Sequence, residues 1–176
     1  MRIEDIEKKA EKVLKEAQAE SLPVDLKKIA RKHGIIISEA PNKSDDISGL
    51  LLKSEKKTLV GVNSFHHSNR KRFTVAHEFG HFFLHETGDT FMDNNSNLEL
   101  LVKFRDNTAP KTQEETEANR FAAALLMPTK SVHKHFNALM DVIDDTTEII
   151  NKLSDKYEVS YDAMMYRLIN LKLIRS

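Results

Sequence analysis

The sequence predicts an α+β fold: one mostly helical domain with a small sheet of about three strands. Three observations lead there. Apolar residues recur at helical spacing near the N-terminus and through most of the chain after residue 68, whereas Ile35 to Asn63 holds short β-branched or alternating runs. The composition, 40% hydrophobic and 31% charged, is ordinary for a globular protein. A chain of 176 residues can bury one core around one site, and it shows no internal repeat, low-complexity tract or linker.

Taken in order, Ile3, Ile6, Ala10, Val13, Leu14 and Ala17 give a helix over residues 3–18 one apolar face. Pro23 is expected to open a second helix with Leu26, Ile29 and Ala30 as its stripe, and Gly34 supplies a C-terminal signal. Ile35-Ile36-Ile37 is a short strand, Pro41 to Asp46 a polar loop, and Ser48–Leu52 and Thr58–Asn63 two further strands joined by Lys53 to Lys57. Residues 68–86 return to helix, and 112–127 form another that Pro128 stops. Between these two, Thr87 to Pro110 is polar apart from an apolar cluster at Leu98 to Phe104, and so long a loop is usually functional or disordered. The remainder reads as two or three helices, with Met164, Leu168 and Leu171 on the core side of the last.

Lys plus Arg and Asp plus Glu each total 27, so the formal net charge is zero. A dedicated nucleic-acid binder needs positive charge to neutralise phosphates, so no direct nucleic-acid contact is expected. With no cysteine, any metal must be held by histidine and carboxylate. The first residues lack an apolar stretch of signal-peptide length, and no segment approaches the roughly 20 apolar residues that span a bilayer. The expectation is a cytoplasmic protein that makes no membrane contact.

His77-Glu78-Phe79-Gly80-His81 carries the chemistry. Residues four apart on a helix lie one above the other, so both imidazoles can face one ion. Glu78 is rotated about 100° from His77, too far to join them as an equal ligand but able to reach a water beside the ion. That makes it the candidate general base for hydrolysis, with zinc lowering the pKa of the water. The alternative is a pair of core histidines on a structural helix, since Phe73, Ala76, Phe79, Phe82, Phe83 and Leu84 surround the motif with apolar bulk. Zinc suits a two-histidine, one-carboxylate site with an open position, although ligand type alone also admits manganese or iron.

A third ligand decides between these readings. Positions 84 and 87 are Leu and Thr, which removes the arrangement with a third histidine soon after the motif. His85 stands another turn along the same stripe, and three ligands on successive turns spread too far for one tetrahedral ion. It is expected to pack or to support a ligand. A glutamate on the 112–127 helix is the other solution, with Glu114, Glu115 and Glu117 as candidates. Ala118, Ala122, Leu125 and Leu126 form that helix's apolar stripe; Glu115 lies on it and Glu117 on a flanking line. Asn119, one turn beyond Glu115, is placed to orient the carboxylate or to bond nearby backbone.

These residues, with Leu22-Pro-Val-Asp-Leu26, Ile29-Ala30, Ser48-Gly49, Val62-Asn63, Leu84-His85 and Asn119-x-Phe121-Ala-Ala-x-Leu-Leu-Met-Pro128, resemble the ImmA/IrrE family of metallopeptidases in the expected order. Val159-Ser160, Ala163 and Arg167-Leu168 resemble its C-terminal helices, so the likeness covers almost the whole chain. It implies a zincin-like core with one Zn2+ per chain, held by His77, His81 and Glu115, with Glu78 as the catalytic base. It divides a single 1–176 domain into N-terminal helices and sheet (about 1–67), metal-site helices (68–128) and C-terminal helices (129–176). The resemblance further implies a metalloendopeptidase that cleaves one protein, a DNA-binding transcriptional repressor of a phage, mobile element or stress response. Relatives with a fused helix-turn-helix exist, but residues 1–34 match the family's own N-terminal helices. The segment between His85 and Glu115 is long for the family, so a substrate-facing lid is expected to differ.

Two other expectations stand beside it: a zinc-containing regulatory module that sequesters a partner without cutting it, and a metal-free helical protein. Of the remaining polar residues, His66 and His67 are expected to be exposed. Arg72 is expected to pair with an acid, contact substrate or sit solvated at a helix start. Tyr157, Tyr161, Tyr166, His133 and His135 are candidates for stabilising an oxyanion. Asp93 and Asp106 are candidates for bonding a ligating imidazole.

Overall fold

The computed structural model describes residues 1–41, 48–54, 57–85 and 112–175. Its elements are α1 (Ile3–Glu16), α2 (Leu26–Lys32), β1 (Ile35–Ala40), β2 (Gly49–Lys53), β3 (Thr58–Asn63), α3 (Ser68–Leu84), α4 (Gln113–Leu126), α5 (Thr129–Met140), α6 (Thr146–Tyr157) and α7 (Tyr161–Asn170). The fold is α+β, with seven helices among the described residues and one three-stranded mixed sheet. No described helix is long and apolar enough to cross a membrane. The expected cluster at Leu98 to Phe104 lies outside the described residues.

Pro23 does not open α2. Asp25 does, because its carboxylate accepts the Lys27 and Lys28 backbone N–H groups at 2.9 and 3.1 Å and satisfies two orphan donors of the first turn. Gly34 follows with a φ of 67°, the left-handed turn predicted after the last basic residues. The strand after it runs to Ala40, longer than the three isoleucines, because each of its residues finds a partner on β3.

The sheet order is β1-β3-β2, with β1 parallel and β2 antiparallel to the central β3. Alternation puts Gly49, Leu51 and Lys53 on one face, with Val60 and Val62 as same-face partners in register. That face meets α3: the Lys53 ammonium lies 6.0 Å from the centre of the Phe82 ring, and Gly49 abuts Thr74.

Helices α3 and α4 form the centre of the molecule. Residues Thr74 to His81 of α3 are all buried, as are Ala118, Phe121, Ala122, Leu125 and Leu126 of α4. Glycine sets their spacing. A Cβ on Gly80 would stand 2.8 Å from the Ala118 Cα and 2.9 Å from its carbonyl oxygen, so only a residue without one permits the approach. Helix propensity favours alanine over glycine by about 1 kcal/mol, but backbone overlap costs more. Gly80→Ala is therefore expected to lower stability by about 1–3 kcal/mol in denaturant unfolding, against the propensity trend.

A second tie joins α1, α5 and α7. The buried Arg167 guanidinium donates to Glu7 at 2.5 and 2.9 Å, to Thr129 Oγ1 at 3.0 Å and to the Met127 carbonyl at 3.0 Å. Thr129 in turn donates to Glu7 at 2.8 Å. Burial pushes the Glu7 carboxyl up, but the bonds and charge of Arg167, with Thr129, hold it below the ordinary carboxylate value. A carboxyl depressed in the fold stabilises above its unfolded pKa of about 4.3, and that contribution is lost as pH falls through the folded value. Glu7→Gln should cost about 3 kcal/mol at neutral pH, because it leaves Arg167 buried beside a neutral amide. Thermal unfolding should show the deficit shrinking once the pH drops below about 4.

Candidate metal centre

His77 and His81 sit one turn apart on α3, both buried, on the side that faces the first turn of α4. Their Nε2 atoms are 3.1 Å apart. Glu115, the third residue of α4, brings one carboxylate oxygen to 3.4 Å from His77 Nε2 and the other to 3.4 Å from His81 Nε2. Among the described residues this trio is the group of side chains that could hold a metal ion. Bonds of about 2.0–2.1 Å in a tetrahedron separate neighbouring ligand atoms by about 3.3 Å, which is the spacing found. The donor chemistry fits as well. An ionised carboxylate only accepts, and His77 turns its protonated nitrogen away, so lone pairs converge where a cation would sit.

The His77 orientation is fixed by Asn119. His77 Nδ1 lies 2.8 Å from Asn119 Oδ1, so with that oxygen accepting, Nδ1 carries the proton and Nε2 is left as the donor atom. The sequence suggested that Asn119 would orient the Glu115 carboxylate or bond backbone. It bonds the histidine instead, because the crossing of α3 and α4 sets residue 119 opposite residue 77. Thr112 caps α4 by accepting the Glu115 N–H at 3.2 Å, which holds the first turn in helical form.

Glu78 is buried, and its carboxylate points to the start of β2: Oε1 is 3.1 Å from the place a Gly49 Cβ would occupy. Glycine at 49 thus leaves room for both Glu78 and Thr74. Glu78 lies next to His77 on α3 but outside the trio, as the 100° rotation requires.

The competing glutamates go elsewhere. Glu117 accepts from Gln113 Nε2 at 2.8 Å and meets the Met1 amino group. Those two hydrogen bonds hold its carboxyl below the usual range. Glu114 offers its backbone carbonyl, not its side chain, to His85. His85 packs at the centre's edge, its ring centroid 5.4 Å from that of His81.

His66 departs from expectation, for it is buried. A turn closed by its N–H on the Asn63 carbonyl at 3.2 Å folds its ring inward and leaves Phe65 exposed in its stead. His67 is exposed and caps α3 through Nδ1, which accepts the Asn69 N–H at 3.3 Å. Arg72 bridges separate segments: it donates to the Val24 carbonyl at 3.1 Å and pairs with Glu158 at 3.4 Å. Tyr157 belongs to the core, where its hydroxyl bonds His135 Nδ1 at 2.9 Å; burial pushes the phenol up and His135 down. Tyr166 is exposed, while Asp93 and Asp106 lie outside the described residues.

Comparison with known proteins bears on this arrangement. The model of the Peptidase M78 family, described as the IrrE N-terminal-like domain, matches residues 30–169, which include the whole trio, Glu78 and Asn119. The chain belongs to the IrrE N-terminal-like family. A solved structure titled "Mycobacterium tuberculosis transcriptional regulator" shares the fold, with a TM-score of 0.63 at 18% identity. The match covers 94% of this chain and 46% of that one, so the IrrE-like chain spans less than half of that protein's length. No curated protein matches it. Helix α1 precedes the matched region of this IrrE-like protein, and the Glu7–Arg167 tie binds it to the rest.

Asn119→Leu tests the histidine support. It removes the acceptor for His77 Nδ1–H at nearly constant volume and should weaken metal binding about 10–100-fold in chelator competition, with helical content unchanged.

Proposed function

We propose that this protein is a zinc-dependent endopeptidase acting in the cytoplasm on one protein partner, a DNA-binding transcriptional repressor. The observation that carries this reading is the meeting of His77 Nε2, His81 Nε2 and the Glu115 carboxylate at 3.1–3.4 Å, with buried Glu78 beside them on α3. A structural zinc site closes with four protein ligands, whereas three leave a position for water or substrate. Family membership supports the same chemistry.

Held by these three side chains, zinc would supply the Lewis acidity that makes water a nucleophile near neutral pH and polarises a peptide carbonyl. The chain's own groups do the rest. Glu78 accepts the proton of the attacking water on a carboxylate oxygen and then delivers it to the departing amine, so peptide cleavage balances without another acid. Asn119 keeps His77 in the tautomer that presents Nε2. The apolar bulk of Phe79 and Phe83, stacked edge to face at 6.2 Å, keeps bulk water from the side of α3 that faces the core.

The repressor as substrate rests on the family resemblance. It agrees with the balanced charge of the chain, which favours reaching DNA through a protein rather than through phosphates.

The experiment joins metal content to cleavage. Wild type and Glu78→Gln should each carry about one zinc per chain, and His81→Ala should carry none. Incubated with repressors encoded beside it, wild type should cut one of them, and Glu78→Gln should cut it at least about 100-fold more slowly. Equal cleavage by Glu78→Gln would remove the general base. Full regulation by a Glu78→Gln protein that cuts nothing would move the function to sequestration of the repressor. Wild type that takes up no zinc would overturn the metal centre.

A further inference from the structure

His85 is the part of the centre's surroundings that the chemistry above does not use. It stands at the C-cap of α3 with extended backbone (φ −116°, ψ 140°), and its N–H still bonds the His81 carbonyl at 3.2 Å. From there its side chain, only 12% exposed, crosses to the first turn of α4. Nε2 lies 3.1 Å from the Glu114 carbonyl oxygen. A carbonyl can only accept, so Nε2 carries the hydrogen and donates it. Nδ1 faces a Glu117 carboxylate oxygen at 3.8 Å, and Gln113 holds that carboxylate in turn at 2.8 Å. One imidazole therefore engages the residue before Glu115 and the residue two after it.

Glu115 needs such a tether more than either histidine. It is the most exposed of the three side chains, at 27% against 7% for His77 and 11% for His81. It also stands in a first helical turn, where the backbone N–H groups lack intrahelical partners and helices fray. The Thr112 cap stabilises that turn internally but does not attach it to α3. Among the contacts that attach it, three run across the helices in antiparallel order: His77 with Asn119, Gly80 with Ala118, and His85 with Glu114. The first two lie on the C-terminal side of Glu115. His85 supplies the fixed point on the other side.

We infer that His85 is a positioning residue: by donating Nε2–H to the Glu114 carbonyl it clamps the first turn of α4 to α3 and holds the Glu115 carboxylate opposite His77 and His81. This rests on the reading of those three as a metal centre. His85 itself binds no ion in this role. It acts through Glu115, which separates it from a residue that merely fills space.

The test measures zinc affinity by chelator competition, alongside thermal unfolding of the metal-free protein. His85→Phe keeps the ring volume and removes the donor; His85→Gln keeps a donor at a similar reach. The Phe variant should bind zinc about tenfold more weakly, while the Gln variant stays within about twofold of wild type. In a Glu115→Ala background, His85→Phe should cause no further loss, because the residue it positions is gone. Full affinity in His85→Phe, an equal loss in Phe and Gln variants, or the same tenfold loss with and without Glu115 would each overturn the inference. Wild type without measurable zinc affinity would instead remove the metal centre, and the role of His85 with it. If His85→Phe unfolds, His85→Ala, which also removes the donor, takes its place in the two Glu115 backgrounds: a loss that persists without Glu115 refutes positioning, and a loss that vanishes there supports it.

Discussion

The site depends first on the distance between two helices. Gly80 lets the backbone of α3 come against Ala118 so closely that a Cβ would fall within 3 Å of the α4 main chain. Glu115 stands one turn before Asn119 on α4, and His77 and His81 one turn apart on α3. At that separation a glutamate reaches both imidazoles and an asparagine reaches the far side of one of them. Wider spacing would lose the 2.8 Å bond to His77 Nδ1 and the paired 3.4 Å approaches of Glu115 together, since one rigid helix delivers both.

The cost of placing such groups in the core explains how they are partnered. A helix buried from Thr74 to His81 takes two imidazoles and a carboxylate out of water, and each is expensive unless hydrogen-bonded or paired. Asn119 satisfies one nitrogen of His77. His77 Nε2, His81 Nε2 and the Glu115 carboxylate lie against one another at 3.1–3.4 Å. A divalent ion held there would take one lone pair from each of the three side chains, so its binding and the packing of α3 on α4 would stabilise one another. The Arg167 network obeys the same rule without a metal. A buried guanidinium is held by a carboxylate, a hydroxyl and a carbonyl, and the carboxyl's depressed pKa records that attraction.

Much of this was legible in the residues. Period and turn chemistry located the helices and the three strands because the pattern is local, and the stripe through Ala118 put Glu115 on the face that meets the histidines. What escaped depends on relations between elements. Asn119 could have served a carboxylate or a backbone group, and only the antiparallel crossing assigns it to His77. His66 reads as a surface residue in a polar turn, but the bonds of that turn to Asn63 carry its ring inward and leave Phe65 exposed. Pro23 resembles a helix start, while the cap belongs to Asp25 two residues later. Glu7 and Arg167 lie 160 positions apart, each an ordinary charged residue on its own helix, and nothing local announces their bond.

The chain's architecture also separates what holds the molecule from what does its chemistry. Glu7, Thr129 and Arg167 fasten α1 to α5 and α7 through groups that never meet the histidines. Among the described residues the sheet borders the centre at Gly49, where the absence of a side chain leaves room for the Glu78 carboxylate. Glu78 is thus bordered by a strand and the two histidines by a helix, although all three lie within little more than one turn of α3. Glu78 beside β2 and the donor atoms beside α4 therefore lie on two sides of α3. In the proposed mechanism, the same rotation of about 100° that excludes Glu78 from the donor set gives it a position from which to take a proton.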